Sequence, residues 1–450
     1  MVKKGQEIEV TVSRAKYPNM GIIDGYGKEI RIKGAIRGQK LKIRISRQKK
    51  EYFEAKIVEI LENSPLEGEA ACPHFGRCGG CSYQRMDYED ELAYKEEQVR
   101  ELFKESGLDV NILGIEASPD TRDYRNKMEY TFGDEYKDGP LALGMHRKGR
   151  FYEIENVENC NIAGRDFRQI LTASLDYFRG GELSFYNKRS HLGNLRNLII
   201  RKSLSSGEIM VNLVTSSQRE IDMEAFKDMI LGLELEGEVS GILHTINDNV
   251  ADAVKVDQLR LIYGRDYITE ELCGLKFKIS PFSFFQTNTR AAEKLYGLTQ
   301  KLIGDIEEKT VFDLYSGTGT IAQIMAQVAK EVVAIELVEE AVDMARENAS
   351  NNGLENIEFI AGDMFKVVDK ISKQPDLIVI DPPRPGLGNA IGKIIDFNPK
   401  TFVYVSCNPK TLVGDLVEFD RRGYKIGDIQ LVDQFPRTPH IEALVKIERK

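Results

Sequence analysis

The sequence contains few cysteines and no long apolar segment. Six cysteines in 450 residues are too few for a disulfide framework. The absence of an 18-residue apolar run excludes a transmembrane helix, and the N-terminal segment MVKKGQEIEV lacks the apolar core of a secretory signal peptide. No internal repeat or low-complexity stretch occurs. We therefore expect a cytoplasmic protein with no membrane partner, in a reducing compartment where clustered cysteines usually bind metal or take part in catalysis.

Positive charge is scarce overall but concentrated near the N-terminus. The net charge of −9 argues weakly against a nucleic-acid partner. Residues 1–60, however, contain 15 Lys and Arg against 7 Asp and Glu, whereas the remainder carries 47 basic and 64 acidic side chains, a net charge of −17. A basic module on an acidic body indicates a phosphate-binding arm. An ordinary solvated basic surface would have the same composition, so charge alone leaves both interpretations open.

Hydrophobic periodicity divides the chain into three regions. Residues 1–60 alternate polar and apolar side chains between glycines, which predicts a small β-barrel of the OB type. Residues 61–270 mix strands with helices, including an amphipathic helix that should end at Gly107, and we interpret them as a central α+β scaffold or RNA-docking platform. From about residue 308 strands and helices alternate, which predicts an α/β domain with a parallel, doubly wound sheet.

A glycine turn follows the first strand of the predicted α/β domain. The segment DLYSGTGT places Asp313, Gly317 and Gly319 there, but a dehydrogenase fingerprint would need a third glycine where Ala322 stands. The next strand ends at Glu336, whose carboxylate can accept hydrogen bonds from ribose hydroxyls. Later strands end at Asp363 and in DPPR, residues 381–384. This succession resembles class I (Rossmann-like) methyltransferases that use S-adenosylmethionine, with a Rossmann dehydrogenase as the alternative.

Cys407, in YVSCNP, follows the fifth strand at the edge where doubly wound sheets bind their ligands. A buried structural cysteine is the ordinary alternative. A thiolate at this edge could instead add to C6 of a pyrimidine, which would make C5 nucleophilic enough to accept a methyl group. The base that then removes the C5 proton could be His440 or Glu442 in FPRTPHIE, although a carboxylate at a strand edge is often only a surface group. Arg384 stands where amino-group methyltransferases carry an aromatic residue, which argues against methylation of an exocyclic amine.

Five motifs taken together resemble one family. The segments SPFSFFQTN, DLYSGTGT, DPPRPG, VSCNP and FPRTPHIE are similar, in order, to those of the RNA uracil-C5 methyltransferases, and the N-terminal region and cysteine cluster resemble the 23S rRNA branch. The resemblance implies a TRAM domain at 1–60, an iron–sulfur and RNA-docking domain at 61–270 and a methyltransferase domain at 271–450. It also implies Cys407 as nucleophile and Glu442 as base. The implied S-adenosylmethionine-binding residues are Gln286, Tyr315, Glu336 and Asp381.

Three of the six cysteines lie in CPHFGRCGGC, with the spacing C-x5-C-x2-C. Spacing alone leaves a structural zinc site and an iron–sulfur cluster equally open. The resemblance implies a [4Fe–4S] cluster held by Cys72, Cys78, Cys81 and Cys160. We expect such a cluster to serve folding or RNA docking, because methyl transfer needs no electron. Cys273 is left as a packing residue.

The sequence therefore predicts a monomeric, cytoplasmic enzyme that methylates uridine C5 in 23S rRNA to give 5-methyluridine. The same chemistry on the T-loop uridine of tRNA is the alternative substrate. A non-catalytic RNA-binding protein on a decayed methyltransferase fold would have lost some of the nucleophile, base and cofactor residues, yet all are present. An iron–sulfur redox enzyme would need a flavin or nicotinamide site, and the sequence contains no such motif.

Overall fold

A computed structural model describes residues 2–250, 256–367 and 371–450. The N-terminal region is a six-stranded sheet in the order β1-β5-β6-β4-β3-β2. Its strands are β1 (Glu7–Thr11), β2 (Arg14–Lys16), β3 (Met20–Ile23), β4 (Glu29–Lys33), β5 (Lys40–Gln48) and β6 (Tyr52–Glu62). Alternation in the sequence gives each strand one apolar face, and side chains such as Ile32 and Ile43 are buried in a core of their own. The opposite face carries lysines and arginines together with acidic side chains, and several of them form ion pairs, such as Arg44 with Glu7.

The predicted amphipathic helix is present as α1 (Tyr88–Ser106). It ends where Gly107 adopts a left-handed conformation with φ of 75°, which a glycine does without steric cost. Tyr94, Val99 and Phe103 form its buried face. A short strand, β7 (Ile112–Glu116), follows the helix.

The central region is a seven-stranded sheet with two helices against it, in the order β10-β9-β8-β11-β12-β13-β14. Its elements are β8 (Lys127–Asp134), β9 (Leu141–Arg147), β10 (Arg150–Asn156), α2 (Arg165–Arg179), β11 (Leu195–Lys202), β12 (Glu208–Thr215), α3 (Met223–Leu231), β13 (Glu238–Ile246) and β14 (Gln258–Gly264). The middle strands β11 and β12 are buried on both faces, so that even Arg196 and Arg201 of β11 are buried. Phe132, Phe178 and Phe226 link the sheet to the helices.

The C-terminal region begins with a hairpin and a helix and continues as alternating strands and helices. Its elements are β15 (Ile268–Leu272), β16 (Leu275–Ile279), α4 (Thr289–Ile303), β17 (Thr310–Leu314), α5 (Thr320–Ala326), β18 (Glu331–Glu336), α6 (Glu339–Asn351), β19 (Ile357–Ala361), α7 (Met364–Val367), β20 (Leu377–Ile380), α8 (Ile391–Asp396), β21 (Thr401–Ser406), α9 (Pro409–Arg421), β22 (Tyr424–Val432) and β23 (Glu442–Arg449). Core clusters on both faces of the resulting sheet are apolar. Among the helices of the described ranges, none has the length and apolar character needed to cross a membrane.

The C-terminal sheet has eight strands in the order β19-β18-β17-β20-β21-β23-β22-β7. The first five are parallel, as predicted, but β23 runs antiparallel to both β21 and β22. Strand β23 departs from the parallel arrangement of the five predicted strands because residues 433–441 return the chain without the crossover helix that a parallel connection requires. The edge strand β7 pairs with β22, although its sequence lies in the range 61–270 that we interpreted as the central domain.

This topology collects the candidate site residues at one edge. The carboxyl ends of parallel strands meet at the same edge of a sheet, and the order of the strands reverses between β17 and β20. The glycine turn after β17, Glu336 at the end of β18, Asp381 after β20 and Cys407 after β21 all belong to that edge.

Candidate active site

Cys407 and Glu442 lie at neighbouring strand ends. Ser406, the last residue of β21, pairs with Ala443, the second residue of β23, so the residues beyond that pair are Cys407 and Glu442. The loop that carries the thiol is fixed from its other side by α9, where the Asn408 side chain accepts a hydrogen bond from the Lys410 amide and Pro409 occupies the first turn. Thus the NP dipeptide of the motif starts the helix that holds the cysteine at the sheet edge.

Burial dominates the electrostatics of this edge. Glu442 is 3% exposed, and burial raises its pKa to about 8, with the charge of Asp381 raising it further and Arg384 opposing. Burial also raises the pKa of Asp381 to about 7. The pKa of Cys407 is raised to about 11 by burial and then by Glu442 and Asp381, again opposed by Arg384. In the protein without ligands, both Cys407 and Glu442 are therefore predominantly protonated at pH 7.

Arg384 connects the three loops of the site, a role that the sequence analysis missed. Its backbone carbonyl accepts hydrogen bonds from Asn408 Nδ2 at 3.0 Å and Thr411 Oγ1 at 3.2 Å. Its Nη2 lies 3.2 Å from Nδ1 of His440. Burial, followed by the Arg384 charge, lowers the pKa of His440 to about 4, so this imidazole is neutral at pH 7 and its Nδ1 can accept a hydrogen bond from the guanidinium. Arg384 is thus the cation that favours the Cys407 thiolate.

The glycine turn after β17 holds the carboxylate of Glu336. The Gly317 amide donates to Glu336 Oε2 at 2.9 Å, and the Val338 amide donates to Oε1 at 3.0 Å. Tyr315 enters the turn with φ of 67°, in the left-handed region. A Cβ on Gly319 would lie 2.8 Å from the Phe359 ring, so only glycine permits this close approach of the turn to its neighbours.

Polar and apolar groups around the turn fit an amphipathic, positively charged ligand. Asp313 is fully buried, and neither of its carboxylate oxygens has a hydrogen-bond partner among the described residues. Gln286 is 9% exposed, and its backbone carbonyl accepts a hydrogen bond from Asn126 Nδ2 at 2.9 Å. Two large apolar side chains near the turn, Phe284 and Leu337, are each 69% exposed, which is unusual for residues of their size. The set suits S-adenosylmethionine, which combines a cation with an adenine ring.

Tyr17, in the turn between β2 and β3, brings the N-terminal sheet to the same site. It packs against the core on the α1 side of the C-terminal sheet. Burial raises the pKa of its phenol, and the charges of Glu442 and Cys407 raise it further, so the phenol lies within electrostatic range of both groups. The neighbouring Asn19 amide anchors the turn by donating to Gln98 Oε1 of α1 at 2.8 Å. No local pattern in the sequence marks Tyr17, because its partners lie hundreds of residues away.

The four predicted cluster cysteines are neighbours. Burial raises the pKa of Cys78 to about 11 and that of Cys81 to about 12, and charges on the other cysteines, Cys72 and Cys160 among them, add to both shifts. Two sulfurs accept N–H groups, Cys78 from the Gly80 amide at 3.3 Å and Cys81 from Gln84 Nε2 at 3.4 Å. As these side chains stand, no group of three or more His, Cys, Asp or Glu in the described ranges could hold a metal ion. Two of the four cysteines thus accept N–H···S bonds, the kind of outer contact that orients metal-bound thiolates.

A buried ion network joins the cysteine loop to the loop that carries His440. Lys95 of α1 contacts Glu91 at 2.7 Å and Asp433 at 2.9 Å, with all three side chains at most 2% exposed. The Arg437 amide donates to Glu91 Oε1 at 2.7 Å, and the Arg437 carbonyl accepts from the Ser82 amide at 2.8 Å. Removing one member of such a network would leave a buried charge without compensation. The network therefore holds in place the segment 433–441, which leads into Glu442.

Comparison with known proteins identifies the family of the chain. Residues 87–450 match the family model described as tRNA (uracil-5-)-methyltransferase. Proteins described as uncharacterized RNA methyltransferases are 49% identical in Clostridium tetani, covering 100% of this chain and 99% of the relative, and 37% identical in Bacteroides thetaiotaomicron, covering 91% and 94%. The crystal structure of Pyrococcus abyssi tRNA (uracil-54, C5)-methyltransferase in complex with S-adenosyl-L-homocysteine is 25% identical, with a TM-score of 0.76, covering 97% of this chain and 99% of that one.

These matches confirm the family and the Rossmann-like fold that the motifs predicted. They extend over nearly the whole chain, so the likeness is not limited to the nucleotide-binding half. The protein is a methyltransferase, and it belongs to the tRNA (uracil-5-)-methyltransferase family.

Proposed function

We propose that this chain transfers a methyl group from S-adenosylmethionine to C5 of a uridine in 23S rRNA, with Cys407 as the nucleophile and Glu442 as the base. The observation that carries the proposal is the Ser406–Ala443 pair, which sets a thiol and a buried carboxyl side by side at the ligand-binding edge. When bound, S-adenosylmethionine supplies a methyl group on a sulfonium, which is electrophilic enough for an activated carbon to attack.

The protein's own groups account for the remaining chemistry. Cys407 and Glu442 first release their protons to solvent, with the Arg384 charge favouring the thiolate. The Cys407 thiolate then forms a bond to C6 of uracil, and the electron pair of the C5–C6 double bond moves onto C5 and O4 as an enolate. C5 then takes the methyl group, the bond between that methyl group and the sulfonium sulfur breaks, and the sulfur keeps the electron pair and leaves as a neutral thioether. Glu442 removes the proton left on C5, the double bond re-forms, and the sulfur–C6 bond breaks to return the thiolate. The Arg384 guanidinium stabilises the negative charge on sulfur at the start and the end of this sequence.

Glu442 suits the role of base better than His440. A general base is most effective when its pKa lies near the working pH, and the pKa of Glu442 is raised to about 8. The pKa of His440 is lowered to about 4, so its imidazole is a much weaker proton acceptor, and its Nδ1 already faces Arg384. The opposite pKa shifts of Glu442 and His440 support the carboxylate as the group that removes the C5 proton.

Gln286, Tyr315, Glu336 and Asp381 are the residues we propose to hold S-adenosylmethionine. Glu336 and the glycine turn lie where a ribose would bind, and the exposed Leu337 offers a surface for adenine. Asp313, whose buried oxygens have no partner in the described structure, is suited to the positive end of the ligand. Binding would cover the apolar surfaces of Phe284 and Leu337, which are otherwise exposed to water.

The cysteines concern folding, and the N-terminal sheet concerns the choice of RNA substrate. We propose that Cys72, Cys78, Cys81 and Cys160 hold a [4Fe–4S] cluster that stabilises the loop between β6 and α1, and that the chain acts as a monomer. The basic N-terminal sheet supports a large, structured RNA as the partner, and we favour 23S rRNA. The T-loop uridine of tRNA is the second candidate, because the Pyrococcus abyssi protein, which covers nearly the same length, is a tRNA (uracil-54, C5)-methyltransferase.

The chemistry is tested by the variant Glu442→Gln. Glutamine cannot accept the C5 proton, so the reaction should stop with the methylated base attached to Cys407. Incubation with RNA and S-adenosylmethionine labelled in its methyl group should give a labelled protein–RNA adduct that survives denaturation. The loss of a positioned base slows turnover by about 10²- to 10⁴-fold, which allows the adduct to accumulate. Cys407→Ala should form no adduct, and trapping by His440→Ala instead of Glu442→Gln would reassign the base.

The substrate is tested separately by mapping 5-methyluridine. Mass spectrometry of rRNA and tRNA from a strain that lacks the gene should show the loss of 5-methyluridine from 23S rRNA, with restoration by the wild-type gene but not by Cys407→Ala. Loss confined to the tRNA T-loop would transfer the activity to tRNA and leave the proposed chemistry intact.

A further inference from the structure

The tip of the β9–β10 hairpin presents an exposed aromatic surface. Phe151 is 51% exposed and Tyr152 is 54% exposed. The pairing of β9 with β10 passes directly from Arg150–Arg147 to Ile154–His146, so the residues between Arg150 and Ile154 form a bulge. A bulge re-aims side chains that regular pairing would direct to a fixed face of the sheet. Two large rings are thereby held at the surface on a backbone that is otherwise well paired.

Cationic side chains lie over both rings. The Lys188 ammonium is 4.7 Å from the Phe151 ring centroid, and the Arg189 guanidinium is 4.3 Å from that of Tyr152. His146 stacks on Phe151, with 4.4 Å between ring centroids and 12° between ring planes. We call these five residues the hairpin-tip surface. Lys188 and Arg189 belong to a turn organised by Asn187, whose side-chain oxygen accepts the Arg189 amide at 2.9 Å.

The hairpin-tip surface is braced by the cysteine loop. The Gly79 amide donates to the His146 carbonyl at 2.9 Å, and the Lys148 amide donates to the Arg77 carbonyl at 2.7 Å. Three residues further along the same loop, the Ser82 amide donates to the Arg437 carbonyl at 2.8 Å. Three residues span at most about 10 Å, so one short stretch of chain links the hairpin to the loop that carries His440 and Glu442.

We propose that the hairpin-tip surface stacks unpaired bases of the RNA substrate close to the target uridine. Aromatic rings interleaved with Lys and Arg are the features that single-stranded nucleic acid requires, since the rings stack on bases while the cations reach phosphates. The long side chains of Lys188 and Arg189 can turn from the rings to the phosphates of the same nucleotides. This inference rests on the proposed function and adds to it: the substrate is recognised as a single-stranded segment, with the nucleotides beside the target held by stacking.

The chemistry of the surface favours RNA over a protein partner. An interface with another protein would use the rings as an apolar core from which charges are depleted. Here each ring already carries a cation on its face, and both cations belong to a turn, Asn187–Leu192, that contains no acidic residue. The bulge also contains Glu153, but this carboxylate is paired with both Arg147 and Arg150, so the positive charge is in excess around the rings. Such a surface matches a polyanion that has planar bases.

Tryptophan fluorescence tests the contact directly, because the chain has no tryptophan of its own. Phe151→Trp places a single reporter on the surface, and Tyr263→Trp places a matched reporter on β14, at the opposite edge of the central sheet, where Tyr263 is 41% exposed. The probe is a uridine-containing RNA of about 12 nucleotides, within the usual range of single-strand binding sites, used alone and as a duplex with its complement. We expect the single strand to quench the emission of Phe151→Trp, and the duplex to quench it far less. Tyr263→Trp should respond to neither RNA.

Affinity supplies the second measurement. Phe151→Ala with Tyr152→Ala should weaken binding of the single-stranded RNA by roughly 5- to 150-fold for each ring that stacks a base. Tyr263→Ala should bind as the wild type does, and circular dichroism should show that all variants keep their fold. Unchanged affinity in the double variant, or equal quenching by single strand and duplex, would overturn the proposal. These assays measure RNA binding without methyl transfer, so their result can be interpreted even if the proposed reaction proves wrong.

Discussion

Ser406 and Ala443 form the last backbone pair between β21 and β23, so Cys407 and Glu442 leave the sheet together. The two side chains that the proposed reaction needs are thus positioned by the most rigid part of the domain. Because both groups are removed from water at this edge, their protonation is set by burial, and the pH dependence of the protein reports on it.

Glu442 should make the protein less stable as the pH rises. Its pKa is about 8 when folded, well above that of an unfolded glutamate, so the folded chain binds more protons between about pH 4.5 and pH 8. The stabilising effect of the protonated carboxyl is fully present below that window and is lost through it. Glu442→Gln, which stays neutral, should therefore gain in melting temperature relative to the wild type from pH 4.5 to pH 8, with no further gain above.

Glu448→Gln is the matched control for the pH series. Glu448 lies on the same strand β23 with a side chain that is 56% exposed, so its replacement should leave the difference in melting temperature independent of pH. A Glu442→Gln difference that is flat with pH would show that this carboxyl is ionised in the folded protein.

Arg384 should control the reactivity of Cys407. Its charge lowers the pKa of the thiol, against the effects of burial, Glu442 and Asp381. Arg384→Leu should therefore raise the pKa of Cys407 and slow its alkylation by iodoacetamide at pH 8, followed by mass spectrometry of the Cys407 peptide. Arg422→Leu, at a partly exposed position on the far side of α9, is the control and should alkylate at the wild-type rate. Equal rates in both variants would remove Arg384 from the activation of the thiol.

The N-terminal sheet should contribute RNA affinity through its charge. Deleting residues 1–60 should weaken binding and flatten the dependence of the binding constant on salt, by about 0.9 in the logarithmic slope for each lost phosphate contact. Filter binding between low and physiological salt measures both quantities. An unchanged slope would contradict the assignment of these lysines and arginines to phosphate contacts.

The same deletion also removes Tyr17, which packs against the core of the C-terminal sheet, and a point variant separates the two effects. Tyr17→Ala in the full chain should reduce the rate of methyl transfer at saturating RNA while leaving the salt slope at its wild-type value, because the ring packs against the core below the catalytic strands and carries no charge. A normal rate combined with weaker RNA binding would make Tyr17 an RNA contact and not a positioning residue.

The cysteine loop should bind iron. Protein purified without oxygen should be brown and contain about four irons per chain if the group is a cubane. Cys78→Ser should lower both the iron content and the soluble yield, whereas Cys273→Ser, outside the cluster, should lower neither. Stoichiometric zinc without iron would sink the iron–sulfur assignment.

The sequence predicted those features that depend on local patterns. The end of α1 at Gly107, the glycine turn around Gly317 and the strand before Cys407 each follow from a few adjacent residues, and the structure has all three. The motifs also predicted the family correctly. The sequence gives no register between β21 and β23. Glu442 and Cys407 could therefore be proposed as partners only because both motifs resemble those of one family.

Contacts between distant segments could not be predicted. Tyr17, the Lys95–Asp433 ion pair and the pairing of β7 with β22 each join parts of the chain separated by more than 300 residues. Such pairings depend on tertiary packing, to which neither hydrophobic periodicity nor a short motif is sensitive. The C-terminal strand itself was predicted, but its antiparallel direction could not be, because an apolar run fits a parallel or an antiparallel neighbour equally well.

The pairing of β7 with β22 has a consequence for synthesis of the chain. Ile112–Glu116 leaves the ribosome long before Tyr424–Val432, so the outer edge of the catalytic sheet is completed only near the end of translation. Contacts this distant in sequence slow folding, and the growing chain must keep β7 from pairing elsewhere in the meantime. A fragment that starts at residue 271 would expose β22 as an unprotected edge, with backbone groups open to other chains. Expression of the C-terminal region alone should therefore yield aggregates, and the shortest soluble fragment should begin before α1.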